Sequence, residues 1–170
     1  MIIRSAAIED IPAMTAIYNE VIANTNAIYT ETPLTPDDRT AWMRARQAQN
    51  YPVLIADLDR TVVGLASFGD FRTWPSGYRY TVEHSVHVHA EHRGRGIGRA
   101  LLDALIVEAG RLGKHCLIGA IDAENEASIA LHARAGFERV AHFREIGRKH
   151  DRWLDVIFMQ RFLDTPDGRR

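Results

Sequence analysis

Apolar residues recur along this chain in two rhythms, one of helical period and one of alternation. From Ile8 to about Ala23, the positions Ile8, Ile11, Met14, Ile17, Tyr18, Val21 and Ile22 fall at helical spacing and predict an amphipathic helix. "Thr35-Pro36-Asp37-Asp38" reads as a helix start, with Thr as N-cap, Pro at the first helical position and acids in the first turn. That helix continues through Trp42 and Met43 to about Gln49. Residues 2–5 read as a short strand, and "PVLIADLDRTVVGLASFGDF" (52–71) as a hairpin turning near Asp57–Arg60. After a loop, "RTWPSGYR" (72–79), the pattern predicts a strand over 79–89 and a helix over 96–112 that Gly113 stops. "HCLIGAID" (115–122) is a strand, and a helix opens at Asn125–Ser128 and closes at Gly136. Residues 137–146 and 153–162 are two final strands, ahead of a frayed polar tail.

Helices come early, antiparallel strands follow, and the chain ends in strand–helix–strand–helix–strand. Only one or two crossovers can be parallel, so the class is α+β, a mixed and mostly antiparallel sheet flanked by helices. No repeat or linker interrupts it; the expectation is one domain over 1–163 and a polar tail over 164–170.

Composition narrows the partners. The chain has 170 residues, 46% hydrophobic and 25% charged, the balance of an ordinary globular domain. No apolar run nears the ~20 residues that cross a bilayer, so no membrane is expected. "MIIRSAAIEDIP" lacks a signal-peptide pattern, and the single Cys116 precludes an internal disulfide, which together point to the cytoplasm. A net charge of −1 argues against nucleic acid, whose backbone demands a basic excess.

The richest stretch is "VHVHAEHRGRGIGRALLDALI" (86–106), where a strand meets a helix through three glycines and three arginines. The dinucleotide fingerprint GxGxxG fails because Arg99 stands where its third glycine belongs, and GxxxxGK fails for want of a lysine. What remains is R-x-x-G-x-G over Arg93-Gly94-Arg95-Gly96-Ile97-Gly98. Glycines tolerate positive φ and let the backbone approach a ligand, and first-turn amides carry the positive end of the helix dipole. Such a nest suits a pyrophosphate, with Arg93, Arg95 and Arg99 adding charge; a tight turn with solvated arginines is the plain alternative.

With those residues in view, the sequence resembles the GNAT superfamily of acyl-CoA-dependent N-acetyltransferases. "Asn125-x-x-Ser128-x-x-Leu131-His132-x-x-x-Gly136-Phe137" resembles the superfamily's later helix and strand. "AIYTETP" (27–33), "FGDFR" (68–72), "TVEHSV" (81–86), "HRGRGIGRALL" (92–102) and "DRWLDVIFMQ" (151–160) resemble its phosphinothricin and methionine-sulfoximine N-acetyltransferase branch. The resemblance implies a GNAT-like fold, with acetyl-CoA as cosubstrate, a small amino-acid-like amine as acceptor, a detoxifying role and a homodimer. It implies that the backbone of Val86, His87 and Val88 pairs with the pantetheine arm, one amide polarising the thioester carbonyl. Gly94 to Arg99 would wrap the pyrophosphate, and Asn125 would touch the cofactor arm. Arg72, Thr73, Trp74, Glu83, His84 and Ser85 would line the acceptor pocket. Two departures are visible: His87 stands where the branch usually has Tyr, and the 72–79 loop is one residue longer than in some relatives.

Thioester aminolysis needs a base for the amine, which Glu83 would supply, and a donor for the thiolate, for which His132 is the candidate. The plain alternatives stand beside these: Glu83 on a solvated strand face, Arg72 in a loop salt bridge, Trp74 in loop packing, His132 as packing, and Asn125 as an N-cap. The histidines at 84, 87, 89 and 92 are too loosely spaced to read as a metal site, and no metal is expected. The rival functions are transfer to another amine, such as a protein N-terminus or a polyamine, and a non-catalytic CoA-binding sensor.

Overall fold

A computed structural model describes residues 1–163. The expected tail, 164–170, lies outside the described residues. Strands β1 (Ile2–Ser5), β2 (Val53–Leu58), β3 (Thr61–Asp70), β4 (Thr81–Val88), β5 (Cys116–Asp122), β6 (Glu138–Lys149) and β7 (Arg152–Phe162) form one sheet. Their order is β1-β2-β3-β4-β5-β7-β6, and only the β4–β5 pairing is parallel. Helices α1 (Ile11–Asn24) and α2 (Pro36–Ala48) cover one face of its first half. There Met14, Ile17 and Met43 pack on Val53, Ile55 and Leu65. Helix α3 (Ile97–Arg111) returns the chain across the other face, burying Leu101, Leu102 and Leu105 against Val63, Ala66, Val82 and Leu117. The short α4 (Glu126–Arg134) leads into β6.

Thr35 caps α2 as its sequence predicts, its hydroxyl accepting from the Asp38 N–H at 3.1 Å while Asp38 accepts from the Thr35 N–H at 2.8 Å.

Three boundaries differ from the sequence expectation. Residues 8–10 form a 3₁₀ turn and α1 begins at Ile11, with Pro12 in its first turn. Asp10 holds this turn, accepting from the Ala7 N–H and from Arg4. Strand β4 begins at Thr81, because Ser76–Tyr80 wind into another 3₁₀ turn. The last two strands are longer than expected and meet in a two-residue turn, His150–Asp151, both at positive φ of 48° and 57°. The polar string "GRKHDR" disguises this hairpin, because its lysine points inward: Lys149 is buried and donates to the carbonyls of Ile22, Thr25 and Ile28.

Candidate active site

The site begins where two strands part. Strand β4 pairs with β3 along its whole length, from Val82 opposite Asp70 to Val88 opposite Gly64. Its parallel pairing with β5 runs only from Thr81–Cys116 to His84–Gly119, after which β5 continues beside β7 alone. The β5-side edge of residues 85–88 therefore lacks a strand partner. A cleft of about 790 Å³ opens at this fork, with Val86, His87 and Val88 on one side and Asn125 and Ser128 on the other.

The glycine turn closes one end of that cleft. Gly94 and Gly96 hold φ of 74° and 81°, a region that strains residues with a Cβ, and Gly96 caps α3 without a side chain. The first helical bond in α3 runs from the Ala100 N–H to the Gly96 carbonyl. The N–H groups of Ile97, Gly98 and Arg99 thus have no helical acceptor, and they carry the positive end of the helix dipole. The arginines play lesser parts. Arg93 is a strut, donating to the Val88 carbonyl at 2.9 Å and to Glu20 at 2.6 Å. Arg99 is paired with Asp103 at 2.8 Å and donates to the Arg134 carbonyl. Arg95 is exposed and does not line the cleft. Arg93 and Arg99 both line the cleft, so an anion in the turn would meet main-chain nitrogen with two ion-paired guanidinium groups beside it.

Asn125 is the N-cap of α4, its side-chain oxygen accepting from the Ser128 N–H at 3.0 Å, and it also faces the cleft. Its amide NH₂ has no partner among the described residues, so capping and ligand contact are compatible.

Strand alternation carries the site through the sheet. Glu83, Ser85 and His87 stand opposite Gly69, Ser67 and Leu65 on the α1–α2 face. A second, smaller pocket of about 260 Å³ lies there, with Glu83, Ser85, Ser67 and Gly69 as floor and Trp42 and Arg46 of α2 as wall. Glu83 is half-buried with no hydrogen-bond partner among the described residues, and burial pushes its carboxyl pKa up. His87 packs its edge against Tyr18 at 5.2 Å; burial, with the cations Arg39 and Arg93, holds it down to about 4.

Not every expected residue arrives. Arg72 is exposed, its guanidinium over the rings of Phe71 and Tyr78, and Thr73 and Trp74 are exposed beside it; all three lie outside both cavities. His84 does line the smaller pocket, but its ring projects to the face opposite Glu83 and stacks on His132, centroids 5.1 Å apart. The acid role for His132 meets a geometric obstacle. Its Nδ1 lies 2.7 Å from the Ser128 carbonyl and must donate to it, which leaves Nε2 as the acceptor of a neutral ring. That Nε2 is buried and unpartnered, the ring does not line the cleft, and burial lowers its pKa, so the proton is missing where a thiolate would need it. His89, Glu91 and His92 bring one ligating atom each to within 4.8 Å of one another at the cleft's rim, without His84 or His87.

Sequence reasoning passed over Arg46, Trp42 and the Thr25–Ala27 segment of the cleft wall. Arg46 and Trp42 carried no signal beyond a helix that alternates polar and apolar positions.

A family model for the acetyltransferase (GNAT) family matches residues 14–137. The chain belongs to that family. As a GNAT chain it is an acetyltransferase, and its mixed seven-stranded sheet is the family's fold. It is 48% identical, over 99% of both chains, to the L-methionine sulfoximine/L-methionine sulfone acetyltransferase of Salmonella typhimurium. A solved GNAT superfamily phosphinothricin acetyltransferase from Sinorhizobium meliloti, in complex with AcCoA, superposes with a TM-score of 0.93. The identity is 36%, and the match covers 99% of this chain and 91% of that one. The ribosomal-protein-alanine N-acetyltransferase of Brucella melitensis superposes with a TM-score of 0.94 at 45% identity, covering 96% and 100%.

Proposed function

We propose that this chain transfers the acetyl group of acetyl-CoA to the α-amino group of a small amino-acid analogue of the methionine sulfoximine, methionine sulfone or phosphinothricin type. One observation carries the reading: residues 83–88 of β4 border two cavities, a cleft along the strand's open edge that the glycine turn closes and a pocket on the α1–α2 face holding a half-buried carboxylate. The coenzyme's diphosphate sits on the amides of Gly94–Arg99, and its pantetheine arm follows the open edge of Val86–Val88 past Asn125. The thioester thereby reaches the fork, next to Glu83.

The chemistry follows from those positions. Glu83 takes a proton from the acceptor's ammonium, freeing the nitrogen lone pair. The amine attacks the thioester carbon, and a β4 amide stabilises the oxyanion, a donation of about 3–4 kcal/mol. The C–S bond breaks, and the nitrogen's remaining excess proton passes to the departing sulfur or to solvent. N-acetyl product and CoA thiol result. No covalent enzyme intermediate enters, and Cys116 is buried in β5, its pKa raised by burial.

The reading includes one catalytic domain, a cytoplasmic location and a homodimer. The last is supported by the β6–β7 hairpin, which exposes Val140, Phe143, Ile146 and Trp153. Light scattering at micromolar concentration tests it; a monomer overturns it.

The Brucella likeness favours a peptide N-terminus as the second reading. A thiol-release screen over amino-acid analogues, alanyl peptides and polyamines separates them. Turnover with methionine sulfone or phosphinothricin well above the peptides supports the proposal. Preference for an alanyl peptide replaces it, and acetyl-CoA binding without thiol release under any acceptor makes the chain a sensor.

A further inference from the structure

The acceptor pocket holds a cation that nothing in the fold neutralises. Arg46 lies across Gly69, so close that a methyl group there would overlap its guanidinium, and its Nε is buried without a partner. No ion pair among the described residues involves it. Two acids line the same pocket, and neither is within salt-bridge distance. Asp70 is engaged by the Tyr51 hydroxyl, which in turn accepts from Lys114 at 3.0 Å, while Glu83 stands free.

Gly69 is the cross-strand partner of Glu83. The guanidinium therefore covers the residue directly opposite the carboxylate, across one strand spacing of about 5 Å. Trp42 walls the same side, 5.9 Å from the Arg46 carbon. A pocket with an unpaired carboxylate at one end and an unpaired guanidinium at the other is complementary to a compact zwitterion, amine toward Glu83 and paired oxygens toward Arg46.

We infer that Arg46 is the specificity-determining residue that binds the anionic or strongly polarised oxygen pair of the acceptor, an inference resting on the acceptor class proposed above. Those oxygens belong either to the α-carboxylate or to the sulfone-type group, and both present two oxygens to a planar fork.

The test is thiol-release kinetics of wild type, Arg46→Gln and Gly69→Ala with L-methionine sulfone, its α-amide and L-methionine. Gly69→Ala displaces the guanidinium without deleting it. Both variants should raise KM for methionine sulfone about tenfold or more, with circular dichroism and the KM for acetyl-CoA within twofold of wild type. If Arg46 holds the carboxylate, the variants lose the preference for the sulfone over its amide. If it holds the sulfone oxygens, they lose the preference for the sulfone over methionine. Folded variants that keep the wild-type KM and both preferences overturn the inference and leave the acceptor class standing. A wild-type enzyme that turns over no amino-acid analogue sinks the acceptor class and the Arg46 role together.

Discussion

The imidazoles of His84 and His132 stack 5.1 Å apart, 17° from parallel, at the last residue pair before β4 and β5 separate. They fit because residue 119 is glycine. A Cβ there would lie 3.0 Å from His84 Nε2 and 3.3 Å from two His132 atoms. Gly119→Ala should therefore overpack the fork and cost about 1–3 kcal/mol in urea denaturation, with reduced acetyl-CoA affinity. An alanine variant of wild-type stability and affinity would mean the rings are free to retreat.

The same pair predicts an acid-sensitive fold. Burial holds His84 down to about 3 and lowers His132, and His87 is held to about 4, whereas unfolded histidines titrate near 6.5. Between these values the unfolded chain binds protons that the folded chain refuses, so stability falls as pH drops from 6.5 toward 4. Each such histidine contributes up to about 1.4 kcal/mol per pH unit. Glu83, raised instead, offsets a part of this near the acidic end. Asp10, lowered by Arg4, loses its contribution only below its ordinary carboxylate range, outside this window. Urea midpoints at pH 7, 6 and 5 check the sign, and His84→Leu should flatten the slope. A midpoint constant from pH 7 to 5 would contradict it.

Glu83→Gln should lower kcat/KM for the acceptor by about 10²–10⁴ while leaving acetyl-CoA binding, read by calorimetry, nearly unchanged. Because the base must be ionised and its pKa is raised, the acidic limb of the wild-type pH–rate profile should lie above the usual glutamate range. Undiminished turnover in the variant removes Glu83 from the role.

Lys149 ties the β6–β7 hairpin to the wall of the cleft through three carbonyls, with Nζ–O distances of 2.6, 2.5 and 3.1 Å. Lys149→Met leaves those acceptors without a donor and should cost about 3 kcal/mol of stability. Thr25 lines the cleft, so acetyl-CoA affinity should weaken as well. Thermal shift with and without acetyl-CoA separates the two effects; a variant matching wild type in both would make the lysine dispensable.

Much of the fold was legible because local physics wrote it. Thr35, Gly96 and Asn125 start helices through caps whose residue types are visible in sequence, and the alternation in 81–88 correctly sends Glu83 and His84 to opposite faces. The R-x-x-G-x-G turn was readable for the same reason, since its positive φ values require glycine. The ion pairs of the two arginines on the cleft differ in legibility: Asp103 stands one helical turn after Arg99, whereas Glu20, the partner of Arg93, is 73 residues away and shows only in the fold.

What the sequence by itself determined is therefore the order of elements, the glycine nest and the faces of β4, because periodicity, capping and backbone conformation act over a few residues. Only the tertiary structure decided where β4 and β5 part, that His132 presents a lone pair, and that Arg46 stands unpaired over Gly69 while Arg72 lies outside. Those outcomes depend on burial and on charges brought together from distant segments, and a pKa or an ion pair exists only once its neighbours are in place.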